Sequence, residues 1–431
     1  MNTIDNSEFL AYTRRSMEGI LRLSNAVSVS ACVSPLSELV KQTGEENNSF
    51  ERIVTIMSHD CNDSTGYATQ YEDWIHATQY WAWTLTAVGG VGNLLTILVI
   101  LHQLYIGCSW KHRPRSSLGR QDSNSRFEKP VLPFEGHTLL LLHLCFCDFL
   151  YSAVNLPLTI IAYGHALHGA RDKLDRLCPV AAFLRYTSAL AEWLTLGLLA
   201  LQRCVDLGRW RSARLFRPAA TGFLIGGVWA VSVALQVVPF AMGGYGYSCE
   251  NFKCDITNGV LKTIFYAIQS PLPCVMMFTG SVGLLYQLWT YTKEMENMKM
   301  ISNLPRKRLV KSSLLVLSLL LLFLVCVVPI CIHNLILKDV VSPEVHIPAG
   351  LLLYKVYYLQ YAINFILYNI MSANFRRAYR RFFSLFFPSC RSPVGGLSSI
   401  YSVTLSPHSD SQRKTQAVCI QRDSGSMSKR F

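Results

Sequence analysis

Residues 314–332 read LLVLSLLLLFLVCVVPICI, a run with no charged side chain whose most polar member is Ser318. A helix on the surface of a water-soluble protein carries a polar stripe at helical spacing, and this run has none. Its length is close to the roughly 20 residues that cross the hydrocarbon core of a bilayer. The run therefore predicts a membrane-spanning helix.

Six other apolar stretches of similar length lie along the chain. Together with the quoted run, their approximate limits are 79–104, 138–163, 180–205, 219–241, 261–289, 313–337 and 349–372. The composition agrees, because 51% of the 431 residues are hydrophobic and only 16% are charged. The sequence predicts an all-α membrane protein, a bundle of seven transmembrane helices.

Charged residues fall unequally on the two sides of these stretches. Cations cluster after the first, third and fifth stretches, at Lys111, Arg113, Arg115, Arg120, Arg126 and Lys129, at Arg209, Arg211 and Arg214, and at Arg306, Lys307 and Arg308. The segment before the first stretch is acidic, with Glu45, Glu46, Asp60 and Asp63. Because cytoplasmic loops are enriched in Lys and Arg, the pattern predicts an extracellular amino terminus and a cytoplasmic carboxyl terminus. The net charge of +13 then faces membrane lipids, not nucleic acid.

Two tails flank the predicted bundle. Residues 1–77 carry glycosylation sequons at Asn47 and Asn62, which suits a disordered, glycosylated extracellular tail. Residues 78–373 form the predicted membrane domain, and residues 388–431 a cytoplasmic tail rich in Ser and Thr. Between them, residues 374–387 alternate aromatic and cationic side chains at helical spacing, which predicts an amphipathic eighth helix on the membrane surface.

Polar residues inside a membrane span are costly and therefore informative. The predicted spans contain, in order, Asn93, Asp148, Trp229, Pro329, Asn364 and Tyr368. Cys178 and Arg203 are separated by about 37 Å of helix, which puts them at opposite membrane faces. Over about residues 77–385, this ordered set resembles the landmarks of rhodopsin-like (class A) G-protein-coupled receptors.

The resemblance implies a signalling role at the plasma membrane and no enzymatic activity. In this family a small-molecule, lipid or peptide ligand binds between the outer halves of the helices, and the cytoplasmic ends open around a hinge near Pro329. The coupling site for a heterotrimeric G protein would include Gln202, Arg203, Cys204 and Tyr368. The tail, once phosphorylated, would recruit arrestin.

The resemblance also implies covalent features. The outer-loop disulfide of the family would join Cys178 to Cys254, although Cys249 satisfies the same distance requirement. Cys254-Asp255-Ile256 and the stretch 198–209 are similar to the insect moody and trapped-in-endoderm receptors, which favours Cys254. Cys390, after the amphipathic segment, is a predicted palmitoylation site.

Three residues depart from the family pattern. Gln202 replaces the acid beside the family's arginine, Val327 replaces a tryptophan, and Phe365 replaces a proline. Without the usual acid beside Arg203, we predict an inactive state that is weakly held.

A cation in the third span bears on the ligand. Arg185 lies five helical turns before Arg203, so both face the bundle interior, where amine-binding relatives carry an aspartate. A cation there favours an acidic or lipid-like ligand, with Tyr186, Asn334 and Tyr354 as candidate neighbours. The alternative is that Arg185 snorkels outward or pairs inside the protein.

Two carboxylates fall at the same predicted depth. Glu192 lies about three turns before Arg203 and points toward Asp148, near Asn364 and Asn93. Two adjacent carboxylates in a low dielectric do not both stay ionised without a cation. The pocket is therefore predicted to hold a sodium ion or to retain a proton; a neutral Glu192 bonded to a neighbouring helix is the alternative.

Other classes of seven-span protein fit less well. A chemoreceptor-type ion channel would have its amino terminus inside, against the Lys and Arg distribution. A transporter would show interrupted helices in two matching halves, and an intramembrane hydrolase would need clustered His and carboxylate ligands. Neither pattern is found in the sequence.

Overall fold

The computed structural model describes residues 68–111, 130–208, 211–248, 252–257, 262, 271–298, 304–334 and 342–386. The chain divides into two compact units after Phe383, and of the second unit only 384–386 are described. The glycosylation sites Asn47 and Asn62, the alternative cysteine Cys249 and the palmitoylation site Cys390 lie outside the described residues.

Within the described residues, seven long helices are followed by a shorter one. They are α1 (Glu72–Lys111), α2 (Gly136–Leu167), α3 (Arg171–Gly208), α4 (Pro218–Ala241), α5 (Pro271–Met298), α6 (Leu304–Ile332), α7 (Pro343–Met371) and α8 (Ala373–Phe386). Two short strands, β1 (Tyr245–Ser248) and β2 (Lys253–Ile256), form an antiparallel hairpin between α4 and α5. The predicted fold class, an all-α membrane bundle, is confirmed.

Hydropathy alone recognises only part of this bundle. Among the described residues, four segments are long and apolar enough to cross a membrane: Glu72–Ser109, Gly136–Leu167, Pro218–Ala241 and Val310–Ile332. In contrast, α3 buries Arg185 and Glu192, and α7 buries Gln360 and Asn364. Polar side chains that face the interior of a bundle lower the hydropathy of a span without exposing charge to lipid.

Helix α2 contains a π-helical turn at Tyr151–Asn155. Pro157, just beyond the turn, has no backbone N–H to donate, and a wider turn accommodates the missing bond. The turn directs Tyr151 and Asn155 into the bundle. The Tyr151 ring stacks on Tyr361 of α7 with centroids 3.5 Å apart, and Asn155 Nδ2 donates to Ser188 Oγ of α3 at 2.6 Å.

Small residues let α3 and α5 pack closely. A Cβ added at Gly280 would lie 2.6 Å from Ala200 Cβ, and one at Gly197 would lie 2.8 Å from Met276 Cβ. In a bilayer, where lipid tails are as apolar as leucine, helix association depends on such close van der Waals packing. The α3–α5 contact fixes the position of α3, which contributes residues to every part of the candidate site.

Candidate functional site

The β1–β2 hairpin is tied to α3 by a disulfide between Cys178 and Cys254, with Cα atoms 4.7 Å apart. This is the predicted pairing. Within the hairpin, Tyr247 pairs with Cys254. We call the end of the bundle that carries these strands the hairpin end, and the opposite end of α3 the Arg203 end.

Asp255 is the centre of a buried charge cluster at the hairpin end. It is 1% exposed, and its carboxylate lies 3.7 Å from Arg185 Nη2, 3.8 Å from Lys253 Nζ and 3.9 Å from Lys262 Nζ. The Tyr186 hydroxyl also donates to this carboxylate. Burial acts to raise the pKa of Asp255, but the three cations together hold it well below its usual value. Asp255 is therefore an ionised anchor that connects the hairpin to α3.

A cavity opens beside this cluster. Its empty volume is about 820 Å³, with the solvent at its mouth included, and its walls are Tyr151, Arg185, Tyr186, Ala189, Trp193, Lys253, Val327, Ile330, Cys331, Asn334, Tyr354, Tyr357 and Tyr358. The four predicted ligand residues, Arg185, Tyr186, Asn334 and Tyr354, all line it, and Asn334 Nδ2 donates to Tyr354 Oη at 2.9 Å. The walls combine a few polar groups with a largely aromatic and aliphatic surface, as ligand cavities do.

The sequence analysis did not assign a role to Lys253 or Asp255. Both flank Cys254 in β2, and alternate residues of a strand share one face, so Lys253 and Asp255 lie on the same face. That alternation was the available signal, but it required knowing that the segment forms a strand. Arg185 does pair inside the protein, through Asp255, and it also lines the cavity.

A pair of tyrosines leads from the cavity into the bundle. Tyr357, which lines the cavity, shares a hydrogen bond with Tyr361, with 2.7 Å between the two hydroxyl oxygens. Tyr361 interacts in turn with Glu192 of α3. A change at the cavity wall therefore has a short contact path to a buried carboxylate.

Glu192 and Asp148 lie close enough to interact electrostatically, and both are buried, with exposures of 1% and 0%. Asn364 Nδ2 donates to Asp148 Oδ2 at 2.9 Å, whereas Asp148 Oδ1 and both Glu192 oxygens accept no well-formed hydrogen bond from the described residues. Asn93 instead donates to the Tyr361 carbonyl at 2.8 Å. The described residues contain no group of three or more His, Cys, Asp and Glu that would hold a metal ion.

At the Arg203 end, the arginine has an acidic partner that the sequence analysis missed. Arg203 Nη1 lies 3.6 Å from Asp206 Oδ2, one helical turn further along α3. A spacing of three residues in a helix was the signal for this pair. Gln202 and Cys204 are buried beside it, and the predicted coupling residue Tyr368 stacks on Phe375 with centroids 5.3 Å apart.

Comparison with known proteins identifies the class to which this arrangement belongs. Residues 136–368 match the seven-transmembrane receptor (rhodopsin family), and the match covers more than half of the chain. The chain belongs to this family of G-protein-coupled receptors, whose members are generally not enzymes. This membership favours the receptor over the channel and transporter alternatives.

A solved structure shares the fold. The crystal structure of squid rhodopsin aligns with a TM-score of 0.53 at 16% identity, over 74% of this chain and 87% of the squid chain. A comparison of the chain with curated proteins found no match. The similarity to the insect receptors therefore stays a prediction.

Proposed function

We propose that the chain is a plasma-membrane receptor with an extracellular amino terminus, which binds a ligand in the hairpin-end cavity and a heterotrimeric G protein at the Arg203 end. The observation that carries this proposal is the contact path from Tyr357 through Tyr361 to Glu192. It connects a cavity open to solvent with the polar interior of α3, the helix that ends at Arg203.

The ligand in this proposal carries an acidic group on an apolar body and is therefore acidic or lipid-like. Its support is the composition of the cavity wall, which includes Arg185 and Lys253 beside Trp193, Val327 and Ile330, and no acidic side chain among the described residues. A cation already buried in the wall is matched by an anion more readily than by a second cation.

Ligand binding shifts the receptor population from a state with a closed Arg203 end to a state with an open one. The size of the shift is limited by the difference between the ligand's affinities for the two states. Helix α6 supplies a hinge at Pro329, where one backbone hydrogen bond is absent. Opening exposes Arg203 to the G protein. Arrestin then binds the phosphorylated tail beyond residue 388.

The carboxylate pair regulates this equilibrium. A sodium ion between Asp148 and Glu192 offsets one of the two buried negative charges, with Asn364 close by, and a proton retained on either carboxylate does the same. We infer that the cation favours the closed state. Its support is the three carboxylate oxygens that accept no well-formed hydrogen bond from the described residues.

A cell-based assay tests the proposed coupling. The full-length receptor is expressed with dissociation sensors for each G protein class, and ligand-free signalling is compared between wild type and Arg203→Ala at equal surface density. Signalling by wild type that is lost in Arg203→Ala supports the proposal. Equal signalling by both, in every class, contradicts it. The orientation is tested independently by glycosylation. An extracellular amino terminus predicts that glycosidase treatment changes the gel mobility of wild type and that the double variant Asn47→Gln/Asn62→Gln loses this change.

A further inference from the structure

Lys253 occupies an unusual position for an ammonium group. It begins β2, next to the disulfide at Cys254, and is 4% exposed. Its Nζ lies 3.4 Å from the centroid of the Tyr354 ring on α7, and it lines the cavity. A buried ammonium on an aromatic face keeps part of its electrostatic stabilisation but has few hydrogen-bond acceptors.

The charges around Lys253 do not balance. Among the described residues, three cations, Arg185, Lys253 and Lys262, surround the single carboxylate of Asp255. Arg185 and Lys253 line the cavity, whereas Asp255 does not. The cavity therefore receives the unbalanced positive charge of the cluster. Burying an unpaired charge is costly, so an added anion on this side would be stabilised.

The two cavity-lining cations are held differently. Arg185 is fixed by Asp255 and stacks over the Tyr186 ring, with 5.0 Å between its guanidinium carbon and the ring centroid. Lys253 pairs with Asp255 at nearly the same distance, 3.8 Å, but its ammonium also lies on the face of the Tyr354 ring. Its compact head on a flexible stem moves toward a ligand at lower cost than a fixed guanidinium does.

We propose that Lys253 is the principal anchor for the acidic head group of the ligand, a carboxylate or phosphate monoester, and that the apolar body of the ligand lies on Trp193, Val327 and Ile330. Arg185 acts second, by holding Asp255 and the hairpin in place. This inference rests on the proposed function and assigns the recognition of charge to the hairpin instead of α3. Burial lowers the pKa of Lys253 well below its usual value, with Asp255 opposing this effect, and a bound anion would raise the pKa again.

Thermal unfolding of the purified full-length receptor in a neutral detergent tests the anchor. The probes are oleate and monododecyl phosphate, with oleyl alcohol as the uncharged match. The variants are Lys253→Met and Lys355→Met. Lys355 follows Tyr354 on α7 and also lies over an aromatic ring, Trp74 at 5.5 Å, but does not line the cavity.

We expect both anions to raise the unfolding temperature of wild type and Lys355→Met, and the alcohol to raise neither. Half-maximal stabilisation of Lys253→Met should require about tenfold more anion, the loss expected from one charge-assisted hydrogen bond. The anchor is overturned if Lys253→Met and Lys355→Met respond equally, if the alcohol acts like the anions, or if no anion stabilises wild type. Because this readout needs no G protein, its failure is separate from failure of the coupling assay.

Discussion

Arg203 and Asp206 form an ion pair within a single helix, with 3.6 Å between Nη1 and Oδ2. Both partners belong to α3, so the pair does not tie α3 to α6. Gln202, at the place of the family's acid, is buried and supplies no charge. The weak hold on the inactive state stays a prediction, to which the Arg203–Asp206 pair adds no link between α3 and α6.

Replacing Gln202 by Glu should lower ligand-free signalling severalfold. A carboxylate beside Arg203 adds a second charged partner and stabilises the closed state, and a severalfold change in signalling corresponds to about 1 kcal/mol. Gln202→Met, which is of similar size and uncharged, is the control. Basal signalling that is unchanged or higher in Gln202→Glu, at matched surface expression, would argue against this account.

Replacing Asp206 by Asn should have the opposite effect. Loss of the pair frees Arg203 for the G protein, and the expected rise in ligand-free signalling is at most about fivefold, because the 27% exposed Asp206 side chain is partly screened by solvent. Asp206→Glu retains the charge and should remain near wild type. A fall in signalling in Asp206→Asn would show that Asp206 takes part in coupling itself.

The carboxylate pair predicts a sodium response. Raising sodium at constant ionic strength should weaken activating ligands, and Glu192→Ala and Asp148→Asn should each blunt this effect, because each removes one of the two charges that bind the ion. The measurement is competition binding in membranes, with potassium replacing sodium as the control. If both variants kept the wild-type dependence of ligand affinity on sodium, the cation site would be rejected.

The close contact between α3 and α5 predicts a stability effect. Gly280→Ala would place a methyl group 2.6 Å from Ala200 Cβ and 3.0 Å from its backbone carbonyl carbon, so the helices must separate, at a cost of about 1–3 kcal/mol. The unfolding temperature of the purified receptor should fall. Gly226→Ala on α4 is the matched control, since a Cβ there meets no atom within 4 Å. Equal unfolding temperatures for the two variants would mean that the contact is looser than described.

The burial of Lys253 predicts that anion binding depends on pH. Its pKa is lowered in the free receptor and raised by a bound anion, so affinity should fall as pH rises between these two values and be constant below the lower one. The groups facing Lys253 are Asp255 on its own strand, Arg185 and Tyr186 of α3, Lys262, and Tyr354 of α7.

Dodecanesulfonate is the probe for this measurement, because it stays ionised from about pH 6 to 9. Lys253→Arg, whose guanidinium stays protonated, should show a flat profile. The same slope in wild type and Lys253→Arg would assign the pH dependence to another of the facing groups.

The positions of the helices could be predicted from the sequence more fully than the contacts between them. Apolar runs set the spans, and helical spacing was enough to bring Arg185, Tyr186 and Asn334 to one cavity. Lys253 required the register of a short hairpin and the attachment of that hairpin to α3, neither of which is visible in a hydrophobic pattern. Asp206 was within reach of the same spacing argument, because it lies three residues after Arg203 on the same helix.

The π turn of α2 also lies beyond what hydrophobic patterns reveal, and it affects how this receptor should be compared with others. A π turn accommodates one residue more than an α-helical turn. A regular α-helix that kept every residue of 151–155 would instead rotate Leu156–Leu167 by about 100° relative to the rest. That rotation would carry Thr159 and Tyr163 away from their buried positions while leaving every residue type in place. Position-by-position alignment with a relative that lacks the turn therefore equates residues that face different neighbours, and a one-residue gap inside this helix is the physically correct alignment.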